Sequence, residues 1–445
     1  MKIRTMAAVR AAKLTCFVCQ KLGRQGVTWA GRVALAISPN LLRDLSEQVR
    51  GKIFVTCGTN GKTTTNNLLC SALEAEGYKV VCNHTGSNMK NGVAAAFALA
   101  AGRGGRLDAD YACIEVDEAS TRHVFPYIKP DYMILTNLFR DQLDRYGEID
   151  ITMNILEEMI RKVPDMKIVV NADDALSAYL AMDSGNPYIT YGISQPVVKS
   201  ETNEIREGRF CKRCGEKLEY RFYHYSQLGD YHCPRCGFSR PALDFDAQKV
   251  ELEEAISFYV EGHRLRVDYR GFYNVYNILA AYAAMRSAGV SADHFQKMLA
   301  HFNPANGRME QFQLGSCKVT LNLAKNPAGF NQNISAVMQD RKKKDLIIVI
   351  NDNAQDGRDI SWLWDVDFDR LGDESVQSIT VSGIRCQDMR LRLKYVDISS
   401  RLEEDVEQAI RKRAGDGVGN LYVLVNYTAL FTTRNILKRL EGEKK

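Results

Sequence analysis

Short β-branched runs recur from Ile53 onward: IFVTC at 53–57, KVVCN at 79–83, CIEVD at 113–117, YMILTN at 132–137 and KIVVNAD at 167–173. Stretches with helical spacing separate them. Such alternation predicts βαβ units and a mostly parallel sheet covered on both faces. Between the first two runs, a helix predicted over 62–76 sets Leu68, Leu69, Ala72 and Leu73 along one side, the side that should meet the sheet.

The pattern breaks near residue 200, where the polar stretch KSETNEIREGRF leads into a cysteine cluster, and returns with VELEEAISFYV, LRVDYRG and a helix over 275–288. A segment at about 205–240 therefore reads as an insertion. A second alternation starts near residue 305, with DLIIVIND at 345–352, SITVSG at 378–383, a helix through 403–413, LYVLVNYTAL at 421–430 and a last helix to 440. The expected organisation is a basic helical segment at 1–48, a central α/β domain at 49–304 and a C-terminal, Rossmann-like α/β domain at 305–445. No internal repeat or low-complexity stretch appears.

Composition adds little to this until charge is mapped. The 445 residues are 45% hydrophobic and 25% charged, enough for two or three cores and unlike a disordered or fibrous chain. No run reaches the roughly 18 apolar residues of a membrane span, and no signal-like stretch opens the chain, so a cytoplasmic location is expected. The net charge of +5 is uneven: residues 1–43 hold Lys2, Arg4, Arg10, Lys13, Lys21, Arg24, Arg32 and Arg43 and no acid. Interspersed with Met6, Val9, Leu14, Phe17, Val18, Leu22 and Trp29, these cations fit a basic amphipathic helix at the inner face of an anionic membrane. The plainer reading is a helix packed on the central domain with its cations solvated.

The segment GTNGKTTT, Gly58 to Thr65, follows a predicted strand and opens a predicted helix. A glycine-rich turn there lets backbone amides and the helix dipole bind phosphates. Gly58 and Gly61 keep the approach open, Thr59, Asn60 and Thr64 complete the cradle, Lys62 reaches the β and γ phosphates, and the Thr63 hydroxyl serves Mg²⁺. The common GxxxxGK[ST] pattern fails, because position 56 holds Thr56 in place of its first glycine.

The form that does match, TxGTNGKTT, resembles the ATP loop of Mur ligases and folylpolyglutamate synthases, which join an amine to a carboxylate through an acyl phosphate. Glu115 stands where that family places a Mg²⁺-binding glutamate, with Asp117 and Glu118 close behind. TNLFRDQLDRYG, with Asn137, Asp141, Asp144 and Arg145, resembles TNxxxDHLDxxG, although Gln142 replaces the usual histidine. VNADD at 170–174, Asn277 in VYNILAA, NGRME at 306–310 and AKNPAGF at 324–330 resemble further family motifs. The resemblance implies that Asn277 reads adenine; Arg308 is assigned to the nucleotide site, where it, or Asn326 and its neighbours, would orient the C-terminal domain as it closes over ATP. It does not locate the family's carbamylated lysine. Only about 50 residues precede the loop, which argues against a UDP-sugar peptide held in the family's usual way.

Cys211, Cys214, Cys233 and Cys236 form two CxxC pairs, CKRCG and CPRCG, with 18 residues between the pairs. Four thiolates at this spacing close a tetrahedral Zn²⁺ shell, predicting a structural zinc ribbon and leaving His224 and His232 as surface residues. Its few basic and aromatic residues do not suggest nucleic-acid binding. Of the remaining cysteines, Cys57, Cys70, Cys82, Cys113, Cys317 and Cys386 are read as small buried hydrophobes and Cys16 and Cys19 as a lone CxxC, which fits a reducing compartment.

Beyond the strand at 345–352, INDNAQDGRDISWLWD concentrates Asp352, Asp356 and Asp359, where α/β folds gather chemistry. An Asx turn plus a helix cap accounts for one of them, or two. Trp362 and Trp364 are read as packing residues. With the ribbon and the short N-terminus, this segment makes the chain similar to the branch of the Mur ligase family that amidates lipid II in peptidoglycan synthesis, and so serves cell wall biogenesis and cell shape. That resemblance implies ATP-dependent activation of the D-isoglutamate α-carboxylate, with Lys62 and Glu115 at the phosphates, and ammonia from a separate glutaminase subunit. One of the three aspartates would orient that partner's histidine. Competing expectations are a self-sufficient ligase of the folylpolyglutamate type and a zinc-ribbon nucleic-acid protein with a regulatory ATPase.

Overall fold

The computed structural model describes residues 3–22, 26–140, 149–197, 207–253, 255–302, 308–415 and 419–443. Asp141, Gln142, Asp144, Arg145, Asn306, Gly307, Lys2 and Arg24 lie outside them.

Three helices open the chain: α1 (Ile3–Lys21), α2 (Val27–Ile37) and α3 (Leu41–Ser46). The single basic helix expected here is thus a hairpin and a short third helix. It packs on the central domain, as the plainer reading has it, because its inner positions are small enough for close approach. A Cβ on Gly31 of α2 would stand 1.7 Å from the Asn91 carbonyl oxygen. Arg10 donates to the Arg103 carbonyl at 3.1 Å and Lys13 to the Leu99 carbonyl at 2.7 Å.

The apolar runs become β1 (Ile53–Cys57), β2 (Val80–Cys82), β3 (Tyr111–Glu115), β4 (Tyr132–Leu135), β5 (Lys167–Asn171) and β6 (Tyr188–Gly192). Between them run α4 (Lys62–Ala75), α5 (Lys90–Ala100), α6 (Thr121–Val124), α7 (Ile149–Arg161) and α8 (Ala175–Asp183). The insertion forms an antiparallel hairpin, β7 (Glu219–Tyr225) and β8 (Leu228–His232), before β9 (Phe245–Asp246) rejoins the main sheet. The order β2-β3-β1-β4-β5-β6-β9 is parallel throughout. All residues of β1 and β4 are buried, as two covered faces require.

A three-stranded antiparallel sheet, β10 (Gln248–Leu252), β11 (Ile256–Val260) and β12 (His263–Val267), precedes α9 (Tyr273–Ser287) and α10 (Phe295–His301). Helix α9 is buried continuously from Asn274 to Met285, because it packs between α4, strands β4 to β6 of the main sheet and the three-stranded sheet. Leu68, Leu69, Ala72 and Leu73 of α4 fill the same core, as their spacing predicts.

The C-terminal domain holds β13 (Glu310–Leu314), β14 (Cys317–Leu323), α11 (Pro327–Gln339), β15 (Lys344–Val349), β16 (Val376–Ser382), α12 (Cys386–Lys394), β17 (Arg401–Leu402), α13 (Val406–Gly415), β18 (Asn420–Val425) and α14 (Tyr427–Glu443). Its sheet runs β13-β14-β18-β15-β16-β17, parallel except for the β13–β14 hairpin. The apolar run at 421–430 is therefore not one element. Asn426 bonds the backbone of Asn351 and ends the strand, and α14 begins at Tyr427. Arg270 of the central domain pairs with Asp340 at 3.2 Å, and the Tyr422 hydroxyl donates to the same carboxylate at 2.8 Å.

Candidate active site

At the end of β1 the backbone turns through Gly58 and Gly61, both left-handed at φ 118° and 86°, so only glycine suits them. Behind Gly61 there is no room either: a Cβ would meet the Asn277 side-chain oxygen at 2.2 Å. Much of the loop is held by the protein itself. The Gly58 amide donates to Glu118, the Thr59 amide to the Asn137 carbonyl and the Asn60 amide to the Asn137 side chain, at 2.7, 2.8 and 2.9 Å. The Thr59 hydroxyl is tied to the backbone of Phe139. These bonds fix the turn and leave the first turn of α4, which includes Thr63 and Thr64, to present the amides a helix does not pair internally.

Lys62 is buried at the floor of the loop. Its ammonium lies 2.9 Å from Glu118 and 2.5 Å from the Gly58 carbonyl. Burial pushes the Glu118 carboxyl up, and the Lys62 charge opposes that. The Thr63 hydroxyl donates to Glu115 at 2.7 Å, and the other Glu115 oxygen accepts from the Asn88 side chain at 2.8 Å. Asn83 clamps the Glu115 backbone from both sides, donating to its carbonyl and accepting from its amide. A hydroxyl and a carboxylate converging beside a helix N-terminus make a hard oxygen site suited to Mg²⁺. Asn83, Asn88 and the Lys62 partnership of Glu118 escaped sequence reasoning. NHTGSNM carries no motif to signal them.

Asn277 and Arg308 line the same narrow cleft as Asn60 and Gly61, which brings together residues far apart in sequence. Asn60 and Asn326 exchange side-chain hydrogen bonds at 3.3 and 3.1 Å, so the loop touches the C-terminal domain directly. Asn326 also caps α11 by accepting from the Gly329 amide at 2.8 Å. On the other side, Gly86 faces the Thr63 hydroxyl and Glu115, and next to it opens a cavity of about 870 Å³ bordered by His84, Thr85, His294, Lys297 and His301.

The three C-terminal aspartates have different surroundings. Asp356 is buried and accepts from the Thr428 amide at the start of α14 and from the Asn353 amide, a capping role. Asp359 accepts from the amide and hydroxyl of Ser361, an Asx-type turn. Asp352 is partly exposed, with Arg385 at 3.7 Å. Trp362 packs on Phe330, whereas Trp364 is half exposed and rests edge-on to Tyr395, so only the first is a packing residue in full.

Cys211, Cys214, Cys233 and Cys236 bring their sulfurs within 4.8 Å of one another. The Cys211–Cys236 and Cys214–Cys233 sulfurs are 3.5 Å apart, close to the roughly 3.8 Å edge of a tetrahedron with Zn–S bonds of about 2.3 Å. Gly215 and Gly237 take φ of 76° and 74° in the two knuckles. Burial raises the Cys233 thiol, but the Cys236 and Arg235 amides and the Cys214 and Cys236 thiols more than offset this and lower it to about 7. Leu218, Tyr231 and Phe238 seat the ribbon on α8. His224 is not a surface residue: it is buried, bonded to the Tyr276 hydroxyl and the Gln195 carbonyl, because β7 turns it into the central core. His232 is exposed, as expected.

Residues 55–285 match the Mur ligase middle domain, and residues 323–430 match the family described as MurT ligase C-terminal. Subunit MurT of lipid II isoglutaminyl synthase (glutamine-hydrolyzing) from Staphylococcus aureus is 35% identical over 430 residues, covering 96% of both chains. Its namesake from Streptococcus pneumoniae is 33% identical over 443 residues, 98% of each. Among solved structures, a pseudomurein peptide ligase type C from Methanothermus fervidus superposes with a TM-score of 0.68 at 23% identity, covering 88% of this chain and 79% of that one. MurF from Acinetobacter baumannii follows the same fold, with a TM-score of 0.66 at 16% identity, 92% and 80% covered. Loop, sheet order and C-terminal domain thus agree with whole-length sequence similarity: the chain belongs to the MurT branch of the Mur ligase family.

Proposed function

We propose that this chain is the ATP-dependent synthetase subunit that amidates the D-isoglutamate α-carboxylate of the lipid II stem peptide. The observation that carries the reading is the convergence of Lys62, Thr63 and Glu115 on one end of β1 in a chain similar to MurT subunits over nearly its whole length. ATP bound with Mg²⁺ would give its γ-phosphoryl group to the carboxylate and leave as ADP, and ammonia would attack the activated carbonyl and expel phosphate to give the amide. Lys62 and the amides of α4 neutralise the phosphates, and Thr63 and Glu115 hold the cation. Asn88 and Asn83 keep Glu115 aimed at it. Asn277 and Arg308 border the nucleotide cleft. The cavity beside Gly86, lined by His84, Lys297 and His301 together with Glu74, Met298 and Phe302, is the space through which the stem peptide would approach the transferred phosphoryl group.

The ammonia source is a separate glutaminase subunit, GatD, and Asp352 is the aspartate that serves its histidine, since Asp356 and Asp359 support their own backbone. Zn²⁺ in the four-cysteine ribbon is structural, the closed thiolate shell leaving no open position. The place of work is the cytoplasmic face of the membrane, where a lipid-linked carboxylate is found.

Coexpression with a glutaminase and assay of glutamine- and ATP-dependent amidation of lipid II test the reading, with Lys62→Ala as control. Amidation that persists in that variant, or ligation of free glutamate without any glutaminase, rules it out.

A further inference from the structure

Helix α1 buries Thr5, Ala8, Val9, Ala12 and Cys16 and exposes Ile3, Leu14, Phe17 and Val18. Helix α2 repeats the inversion, burying Ala30, Gly31 and Ala34 and exposing Trp29. Leu22, just past α1, is 71% exposed, Leu14 is 64% and Trp29 58%. A hairpin that served only to buttress the sheet would turn its large apolar residues inward and its small ones to water. Here the domain takes the small face, and among the described residues the large face is left mostly exposed.

Charge says what the face suits. Arg4, Lys21 and Arg32 are exposed among these residues, and the first acid in the chain is Asp44. Lys21 lies over the Phe17 ring at 5.7 Å and Arg32 over the Trp29 ring at 5.3 Å, so cations stand directly beside the apolar side chains. Large apolar groups with cations and no anions match the boundary between acyl chains and anionic headgroups. No helix among the described residues is long and apolar enough to cross a membrane, so contact would be peripheral. The hairpin is also fixed in place, through Arg10 and Lys13 on the end of the α5 layer.

We propose that the outer face of the α1–α2 hairpin docks the protein on an anionic phospholipid bilayer. This deepens the lipid II reading by naming the surface that brings the site to its substrate, although the exposed residues that support it do not depend on the reaction.

The test uses the full chain with vesicles of phosphatidylglycerol and phosphatidylcholine, and with phosphatidylcholine alone, without substrate. The chain should sediment with the anionic vesicles, and roughly tenfold less with the neutral ones or in high salt. The triple variant Leu14→Gln, Phe17→Gln, Trp29→Gln should lose about the same factor. Arg4→Glu, Lys21→Glu, Arg32→Glu, all at exposed positions, should lose it too while melting and hydrolysing ATP like the parent. A parent that stays in the supernatant, or two variants that sediment unchanged, overturns the proposal. So does a chain that ignores vesicles but dimerises through this face, with the glutamine variant monomeric. Vesicle binding without any lipid II amidation leaves the docking face standing and removes the enzymatic reading alone.

Discussion

Lys62 and Glu118 form a buried ion pair beneath the phosphate loop, and the Lys62 charge is the main influence opposing the burial of Glu118. Removing one charge of such a pair generally costs about 3–5 kcal/mol. In Lys62→Ala, Glu118 loses the cation that opposes burial, so its carboxyl is pushed further up. A carboxyl raised in the folded state gives stability that is full at low pH and is lost as pH climbs through the raised value. The melting temperature of Lys62→Ala should therefore fall further below the parent's as pH rises above the ordinary carboxylate range, and adding Glu118→Gln should flatten that trend. A pH-independent gap would contradict it. The aspartates separate in the same way. Asp356→Ala removes the α14 cap and should cost about 1–2 kcal/mol of stability, whereas Asp352→Ala should melt like the parent yet lose glutamine-dependent amidation while retaining amidation with added ammonia. If Asp352→Ala uses glutamine normally, Asp352 is not the partner-facing residue.

Among the elements, the ribbon stands apart because its own apolar core is small and rests on α8. Its stability should come from the metal, which binds only thiolates and so competes with protons. Metal analysis should find one zinc per chain, lost in Cys214→Ser and released on acidification. A chain that retains β7 and β8 after zinc is stripped by a chelator, judged by hydrogen exchange, would deny the ribbon its structural metal. Sequence made this element legible because ligand spacing is a chemical constraint, and the parallel sheet legible because doubly covered strands must be apolar throughout. It could not show that His224 turns inward, since an inserted hairpin presents a face to the core that no period reveals. The clamp of Asn83 and Asn88 on Glu115 was hidden for a related reason: amide side chains mean nothing until the backbone brings them to a carboxylate. Strand and helix merged in the run at 421–430 because the apolar pattern continues through Asn426, and only tertiary hydrogen bonds end the strand there.

At the scale of the whole molecule, the two α/β domains meet at the phosphate loop itself, through the paired amides of Asn60 and Asn326. Asn326→Ala would break that contact and uncap α11 together, for about 1 kcal/mol of stability. Asn60→Ala breaks the contact from the loop side and leaves the α11 cap in place. Both variants should weaken ATP binding by similar factors in calorimetry, whereas an effect confined to Asn326→Ala would trace the loss to the cap. On the proposed reading, the same pair of amides would couple nucleotide affinity to the placement of the C-terminal domain. Thermodynamic linkage is reciprocal, so a protein bound to the C-terminal domain that tightens ATP by some factor must itself be tightened by ATP by that factor. Occupancy of the phosphate loop would then be readable from the far domain, and the supply of ammonia could be matched to the presence of an activated carboxylate without any residue shared between the two sites.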